Sequence, residues 1–352
     1  MRVVVAMSGG VDSSVAAALL QQQGHEVTGV TLQLRPCTEQ TDSRSCCGSG
    51  GLDSARDVAA HLGVPHYALP CHQQFDDLIL RPSWAAYAAG RTPSPCLWCN
   101  QLIKFGFLLS WARRMGAQAV ATGHYSRIQR DASGRPSLLR GKDRAKDQAY
   151  FLARLNPGTL GQLLFPLGDL TKPEVRALAK DLGLPAAERP DSQDACLVED
   201  GLHFPEMLRR RYAGRAVPGN IVDDQGRVIA SHQGLHNFTV GQRHGLGVAL
   251  GKPAWVRSVG PDGTIVVTTD PLALLRFDLT VSDLVWMDEA LPQALSCQVQ
   301  VRFRHRPVEA LVTATGPTSA RVQIPAGASA VAPGQAASFF DGDRVLGSGW
   351  ID

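Results

Sequence analysis

The chain has 352 residues, of which 44% are hydrophobic and 19% are charged. These are ordinary values for a globular protein of two or three domains. No apolar run reaches the roughly 18–20 residues of a membrane span, which excludes an integral membrane protein. The sequence enters a strand-like run at Arg2–Val5 with no signal peptide before it, so we expect a cytoplasmic protein. The net charge of +3 neither requires nor excludes a polyanionic partner.

Strand and helix patterns alternate through the first half of the chain. Between the second strand and the helix after it, the Ser-, Gly- and Cys-rich segment Cys37–Gly51 is predicted to be a loop. The repeating order predicts an α/β fold with a Rossmann-like, doubly wound parallel sheet. The predicted elements are strands at Val3–Met7, Glu26–Leu32, His66–Leu69 and Ala119–Thr122, and helices at Val11–Gln23, from Asp53 or Ser54 to Leu62, at Gln74–Ala89 and at Asn100–Met115.

The character of the sequence changes near residue 205. A hairpin is predicted around Asp223–Gly226, and from about residue 275 alternation favours an antiparallel β-barrel. In Cys297–Arg306, three arginines are predicted on one face of a strand, about 7 Å apart. That spacing suits successive phosphates of a nucleic acid, but it equally suits a solvated polar face. The predicted domains are 1–204 (catalytic), 205–272 (small and central) and 273–352 (a C-terminal β-barrel).

The clearest functional signal is Ser8–Ser14, between the first predicted strand and helix. Two glycines permit a nest of backbone amides, the helix start adds positive potential, and serines add hydroxyl donors, so the loop suits a phosphate chain. No Lys-Ser/Thr pair closes it, which distinguishes it from a Walker loop. The segment resembles the signature of the PP-loop ATP pyrophosphatases. That resemblance implies cleavage of ATP between its α and β phosphates, with Asp12 helping to hold Mg²⁺.

Two further segments carry cysteines. In Gly90–Phe105, prolines stiffen a loop that presents Cys96 and Cys99 at a helix start, a position that favours thiol reactivity and metal binding. In Pro190–Leu197, polar residues surround Cys196. The chain has eight cysteines and no secretory features, so catalysis, redox chemistry or metal binding is favoured over a disulfide framework.

Together with further motifs, these segments resemble one family over essentially the whole chain, the bacterial tRNA-specific 2-thiouridylases. The further motifs are Ala121–Tyr125, Lys146–Leu152, His232–Leu235, Thr239–Arg243 and Pro333–Gln335. The resemblance implies an ATP-binding catalytic domain, a small central domain and a C-terminal β-barrel. It also implies an activity that replaces O2 of the wobble uridine by sulfur in tRNAs for Lys, Glu and Gln.

The resemblance further implies roles for individual residues. Cys196 would carry a persulfide supplied by a sulfur-donor protein, and Cys99 would be the nucleophile that resolves it. The uridine would have to leave its stack to reach the pocket. Contacts with ATP are implied for Ala6, Met7, Ser8, Gly9, Gly10, Val11, Asp12, Ser13, Leu32 and Gly123. Contacts with tRNA are implied for Ser94, Pro95, Cys96, His124, Lys146, Asp147, Gln148, Arg304, His305 and Gln335.

Position 96 departs from the family pattern, in which most relatives have Asp. In those relatives that carboxylate is a candidate for handling the proton of the carrier thiol, and this chain has a thiol in its place. The change also creates a set of three thiols, Cys96, Cys99 and Cys196, that could hold an iron–sulfur cluster with one iron open to sulfide. That route would need no disulfide cycle. Cys46 and Cys47 are either accessory ligands or exposed thiols without a catalytic role.

Two other functions compete with this interpretation. Another PP-loop ligase, such as an amide-forming synthetase, would need neither paired thiols nor a basic β-barrel. A nucleotide-sensing or RNA-binding module on the same scaffold would release no pyrophosphate in the presence of tRNA. Neither alternative explains why the glycine loop, the two cysteine segments and the basic barrel occur in one chain.

Overall fold

The computed structural model describes residues 1–35, 49–190, 202–288 and 292–352. The strands are β1 (Arg2–Ala6), β2 (Glu26–Gln33), β3 (His66–Pro70), β4 (Ala119–Ala121), β5 (Ser126–Arg130), β6 (Pro136–Arg140), β7 (Leu163–Leu164), β8 (Gly219–Val222), β9 (Val228–His232), β10 (Trp255–Val259), β11 (Ile265–Thr268), β12 (Leu275–Trp286), β13 (Ala294–Gln300), β14 (Val308–Gly316), β15 (Ser319–Ser329), β16 (Ala336–Asp341) and β17 (Arg344–Ile351).

The helices include two segments of π-helix, at Asp76–Leu80 and Cys99–Phe107. None of the helices within these described ranges is both long and apolar enough to cross a bilayer. The α-helices are α1 (Val11–Gln22), α2 (Ser49–Leu62), α3 (His72–Phe75), α4 (Arg81–Ala88), α5 (Pro95–Trp98), α6 (Leu108–Arg114), α7 (Ala149–Leu152), α8 (Lys172–Asp181) and α9 (Phe204–Arg211). Short 3₁₀ helices occur at Pro157–Gln162, Leu235–Asn237 and Pro271–Leu274.

The chain divides into two compact units. The first unit contains Met1–Leu78, Cys96–Asp200 and Asp343–Val345. The second unit contains Ile79–Pro95, Gly201–Gly342 and Leu346–Asp352. The chain therefore passes from one unit to the other several times, and each unit is built from segments that are distant in sequence.

A five-stranded parallel sheet forms the centre of the first unit, in the order β3-β2-β1-β4-β7. The run Val3–Val5 is buried, as expected for an interior strand of a parallel sheet covered on both faces. Helix α1 packs Ala17 and Leu20 against this strand, whereas its Val15 packs with Val175 of α8. The predicted doubly wound parallel sheet is confirmed.

Helix α2 begins at Ser49, so the predicted loop Cys37–Gly51 and the predicted helix start at Asp53 or Ser54 are wrong at this boundary. Two glycines in the first turn of α2 suggested a loop, but the carbonyl of Gly51 packs closely against Gly9. A Cβ atom on Gly9 would lie 2.1 Å from the carbonyl oxygen of Gly51. Residues 36–48, including Cys37, Cys46 and Cys47, lie outside the described ranges.

Strands β5 and β6 form an antiparallel hairpin that the sequence patterns did not reveal. Arg344 pairs with Leu139 of β6, and the Arg127 guanidinium lies 2.7 Å from a carboxylate oxygen of Asp343. Both contacts belong to the first unit. A segment some 200 residues downstream therefore completes this part of the unit, which explains why local patterns missed it.

The second unit contains two sheets. The smaller has the order β10-β11-β8-β9, and its β8–β9 pair is the hairpin predicted around Asp223–Gly226. The larger has the order β12-β15-β14-β13-β16-β17, and pairing of β12 with β17 closes it. Its interior is filled by apolar side chains, among them Val299, Val312 and Phe339. The predicted C-terminal antiparallel barrel is confirmed.

The predicted strand Cys297–Arg306 is too long, because β13 ends at Gln300. Residues 301–307 leave the ladder and form a turn in which His305 N–H donates to the carbonyl of Arg302, at 3.1 Å. Arg304 has a φ of 64°, a left-handed conformation that a strand does not contain. The three arginines at 302, 304 and 306 therefore do not alternate along one strand face.

The barrel interior provides a stability test. Phe339 is completely buried, with its ring centroid 6.2 Å from that of Trp286. We expect Phe339→Ala to lower the free energy of unfolding by about 3–5 kcal/mol, because it leaves a cavity. Phe277, on β12 and 56% exposed, is the matched control, and Phe277→Ala is expected to cost under about 1 kcal/mol. Urea denaturation followed by tryptophan fluorescence measures both, and equal costs would contradict this packing.

Candidate functional site

The glycine loop joins β1 to α1 at the carboxyl edge of the parallel sheet. Ala6 ends β1, Met7 is buried, and Val11 begins α1. The neighbours of β1 are β2 on one side and β4 on the other, so the chain turns in opposite directions on either side of this strand. Ligands of open α/β sheets bind in the crevice at such a switch point.

Residues from both neighbouring strands flank the loop. Leu32 lies near the end of β2, and Gly123 follows β4. A Cβ atom on Gly123 would lie 2.8 Å from the backbone carbon of Asp12 and 2.8 Å from the nitrogen of Ser13. Only glycine fits at this distance without a shift of the start of α1. All ten residues predicted to contact ATP thus belong to the first unit, around one edge of its sheet.

Serine side chains hold the loop in shape. Ser8 N–H donates to Ser13 Oγ at 3.2 Å, and Ser13 Oγ–H donates to the carbonyl of Gly10 at 3.1 Å. Ser54 of α2 donates to the carbonyl of Gly9 at 2.9 Å. With its carbonyls bonded inward, the loop lies at the positive end of a 12-residue helix, which favours an anion.

The Asp12 carboxylate is paired inside the protein. Lys172 Nζ donates to its two oxygens at 2.7 and 2.8 Å, and Tyr125 OH donates to Oδ1 at 2.8 Å. The Lys172 side chain is only 10% exposed. Sequence analysis missed both partners of Asp12. Tyr125 belongs to the motif Ala121–Tyr125, which does not indicate a bond to Asp12, and Lys172 lies 160 residues away from Asp12 in the sequence.

This arrangement bears on the predicted Mg²⁺ site. Magnesium prefers octahedral oxygen ligands and usually takes one or two carboxylates together with substrate phosphates. Both oxygens of Asp12 already accept hydrogen bonds from a cation, and the described part of the chain has no group of three or more His, Cys, Asp or Glu side chains suited to a metal ion. The residues do not form a preformed magnesium site. Mg²⁺ stays a prediction.

Cys96 and Cys99 lie one helical turn apart. Cys96 is in α5 and partly exposed, whereas Cys99 is 7% exposed and begins a nine-residue segment of π-helix. Segments of π-helix are rare and frequently mark functional sites. Cys196, the predicted persulfide carrier, lies outside the described residues.

The cysteine segment and the glycine loop are linked by a short series of contacts within the first unit. Gly123 packs against the start of α1, as described above. The next residue, His124, lies with its ring centroid 5.9 Å from that of Phe105 in the π-helix. Asn100 donates from Nδ2 to the carbonyl of Phe151 in α7, at 3.0 Å. The π-helix that carries Cys99 is therefore fixed against two of the other motif segments.

Several residues predicted to contact tRNA make internal contacts. The carboxylate of Asp147 accepts from Arg140 at 2.7 Å, and Gln148 Oε1 accepts from the backbone N–H of Tyr125 at 2.9 Å. Burial, with a smaller effect of Lys104, lowers the pKa of His124 well below its usual value. Its ring is therefore neutral at pH 7. Lys146, in contrast, is exposed.

In the second unit, Gln335 contacts the proline-containing segment that precedes Cys96. Its Nε2 donates to the carbonyls of Thr92 and Pro93, both at 3.1 Å. These residues precede Ser94 and Pro95, which are buried. Gln335 thus holds the backbone that leads into the cysteine segment.

Arg304 and His305 lie in the turn after β13. Arg304 is exposed, and its guanidinium carbon lies 5.4 Å from the ring centroid of Phe303. His305 is partly buried, and burial, with a contribution from Arg302, lowers its pKa. Of the two, Arg304 is the side chain that offers a positive charge to a phosphate.

Cys71 is a further thiol that sequence analysis did not single out. It is fully buried at the end of β3, and its Sγ donates to the carbonyl of Leu69 at 3.3 Å. Burial, with a smaller contribution from Cys99, raises the pKa of Cys71 to about 12. Cys71 therefore remains a protonated thiol at neutral pH. It belongs to no recognisable sequence motif with Cys99, so the sequence alone did not indicate it.

Family models match three consecutive segments of the chain. Residues 1–200 match the tRNA methyl transferase HUP domain. Residues 206–270 match the tRNA methyl transferase PRC-barrel domain, and residues 276–351 match the aminomethyltransferase β-barrel domain.

Curated relatives match over almost their full length. A protein of Chloroflexus aggregans named "tRNA-specific 2-thiouridylase MnmA" is 46% identical, covering 99% of this chain and 98% of its own. A protein of the same name from Geobacter metallireducens is 43% identical, covering 100% and 96%. Among solved structures, a 4-thiouridine synthetase–RNA complex with bound ATP covers 60% of this chain and 50% of its own, at 18% identity and a TM-score of 0.38.

The pairing of Asp12 with Lys172 provides a second test. Asp12→Ala leaves a buried ammonium without its carboxylate, so we expect a loss of about 1–3 kcal/mol of unfolding free energy, discounted because Asp12 is one-third exposed. The double variant Asp12→Ala/Lys172→Met should recover part of it. Lys142→Met, which removes an exposed partner of Glu174, is the control and should cost under about 1 kcal/mol. Chemical denaturation measures all three; equal losses for Asp12→Ala and Lys142→Met would refute the coupling.

Proposed function

The chain belongs to the family of tRNA-specific 2-thiouridylases, and we propose on this basis that it replaces O2 of the wobble uridine by sulfur in tRNAs for Lys, Glu and Gln. ATP activates the oxygen, and sulfur arrives through cysteine. The observation that carries the proposal is that the glycine loop and Cys99 belong to one unit and are connected through Gly123, His124 and Phe105.

The first step is adenylation of the uracil. A carbonyl oxygen is a poor leaving group, so O2 attacks the α-phosphorus of ATP, and the bond to the β-phosphate oxygen breaks. Pyrophosphate departs into the glycine loop, where the start of α1 provides positive potential. Lys172 forms an ion pair with both oxygens of Asp12 and thereby fixes the first turn of that helix before the nucleotide binds. AMP is then the leaving group at C2.

The second step is sulfur transfer. The terminal sulfur of a persulfide on Cys196 attacks C2, and AMP leaves. The Cys99 thiolate then attacks the Cys196 sulfur of the resulting S–S bond, forming a Cys99–Cys196 disulfide and leaving the terminal sulfur on the base as the thiocarbonyl. A thiol reductant restores the two cysteines, and a persulfide-bearing donor protein reloads Cys196.

An iron–sulfur cluster on Cys96, Cys99 and Cys196 is the alternative carrier of sulfide. Cys96 and Cys99 are close enough in the sequence to share a cluster, at the spacing of paired cluster ligands. The two routes differ in their metal requirement. Anaerobically purified protein that contains no iron and retains full single-turnover activity would exclude the cluster.

The tRNA contacts divide into two groups. Lys146 and Arg304 are exposed and suit contacts with phosphates. Asp147, Gln148 and Gln335 orient backbone around the motifs, so their contribution to tRNA binding is to position other groups.

In the proposed chemistry, Cys99 and Cys196 act only in the second step, after adenylation. We expect Cys99→Ser and Cys196→Ser to reduce 2-thiouridine formation at least ~10³-fold, because each removes a sulfur nucleophile. Release of pyrophosphate in the presence of ATP and tRNA should continue for the first turnover. Cys297→Ser, which changes a buried thiol of the barrel, should leave 2-thiouridine formation unchanged.

Mass spectrometry of the RNA and a pyrophosphate assay on the same samples provide these measurements. Undiminished 2-thiouridine in Cys99→Ser would remove Cys99 from the mechanism. Loss of pyrophosphate release together with thiolation would show that the thiols are needed before adenylation.

The barrel turn provides a test of tRNA binding. We expect tRNA affinity to fall steeply with salt, and Arg304→Ala to make the slope of log K against log salt shallower by about 1, because one phosphate contact is lost. Arg321→Ala removes an arginine from the same barrel that is paired with Asp278, and it serves as the control. An unchanged slope in Arg304→Ala would take this side chain out of the interface.

A further inference from the structure

Asn100 is a buried amide directly after the proposed nucleophile. It is only 3% exposed and is the second residue of the π-helix. Its Nδ2 donates to the carbonyl of Phe151, at 3.0 Å. Its Oδ1 is buried and accepts no hydrogen bond from the described part of the chain. The neighbouring side chain, Cys99, is also buried.

The orientation of this amide is fixed by its partner. A backbone carbonyl can only accept, so the nitrogen of the amide must face Phe151 and the oxygen must face the other way. A buried acceptor without a donor is unfavourable, and such groups in native proteins are rare enough to need an explanation. A bound molecule with an N–H group at this position would satisfy it.

The proposed substrate has such a group. Uracil carries N3–H between its two carbonyls, directly beside the C2 atom at which sulfur replaces oxygen. Cytosine has the same O2 carbonyl, but its N3 is an acceptor. Enzymes that act on an everted base read its Watson–Crick edge through hydrogen bonds. An acceptor facing N3 therefore favours uracil and disfavours cytosine.

We propose that Asn100 Oδ1 accepts a hydrogen bond from N3–H of the target base and thereby selects uracil over cytosine. This inference rests on the proposed 2-thiolation, since it assigns a specificity to the same pocket. Asn100 does no chemistry itself. It binds the base next to the reacting carbon, and its bond to Phe151 holds the oxygen in the required direction.

The test compares two anticodon stem–loop RNAs that differ only in having uridine or cytidine at the target position. Single-turnover thiolation by the intact chain is measured with ATP and a persulfide donor, and the ratio of the two rates is the readout. We expect Asn100→Leu to lower the uridine-to-cytidine ratio by roughly 10- to 100-fold, because the acceptor is lost.

Gln101→Leu is the matched control, since it removes an amide from the next position of the same π-helix and should not alter the ratio. Should Asn100→Leu fail to fold, Asn100→Ser replaces it, because its hydroxyl stops short of the Oδ1 position. The proposal is overturned if the leucine or serine variant keeps the wild-type ratio. Equal rates of the wild type on both RNAs also overturn it.

The outcomes separate this inference from the proposed function. A wild-type chain that forms no 2-thiouridine in any RNA contradicts the proposed function, and the inference with it. A wild-type chain that thiolates the uridine RNA, with a ratio that does not depend on position 100, contradicts the inference alone.

Discussion

The absence of a side chain at position 123 is the constraint on which the first unit depends. A Cβ atom there would approach the backbone of Asp12 and Ser13 to 2.8 Å, so glycine allows β4 to bring its following residues against the start of α1. The same approach places His124 beside the π-helix that carries Cys99. The glycine loop and the segment that carries Cys99, about 90 residues apart in the chain, are thus packed close together.

Two buried polar groups in this part of the first unit are held in fixed orientations by partners inside the protein. The ammonium of Lys172 is fixed by both oxygens of Asp12, and this ion pair joins α8 to the first turn of α1 next to the loop. The amide of Asn100 is fixed by the carbonyl of Phe151. In both cases the partner inside the protein determines the orientation of the group, and preoriented charges and dipoles are what a reaction with a charged leaving group requires.

The parallel sheet, the glycine loop and the barrel could be predicted because each depends on local pattern, such as the run Val3–Val5 or the glycines before α1. Lys172 could not, because its role arises only when α8 packs against α1, and nothing in its own segment indicates a partner 160 residues away. The prediction that the strand continues through Arg302–Arg306 was wrong because the alternation of polar and apolar residues continues into a turn. The π-helix was hidden because its apolar residues also fit an α-helical period.

The π-helix has a consequence for how this scaffold can be changed. Each π-type hydrogen bond spans one residue more than its α-helical counterpart, so Cys99–Phe107 holds more chain per turn than a regular helix does. Deleting one residue there would let the backbone adopt regular α-helical geometry. The helix would become more rigid, and the Cys99 thiol would rotate away from its present direction. Removing this irregularity to stabilise the chain would therefore displace Cys99, the residue proposed to resolve the persulfide.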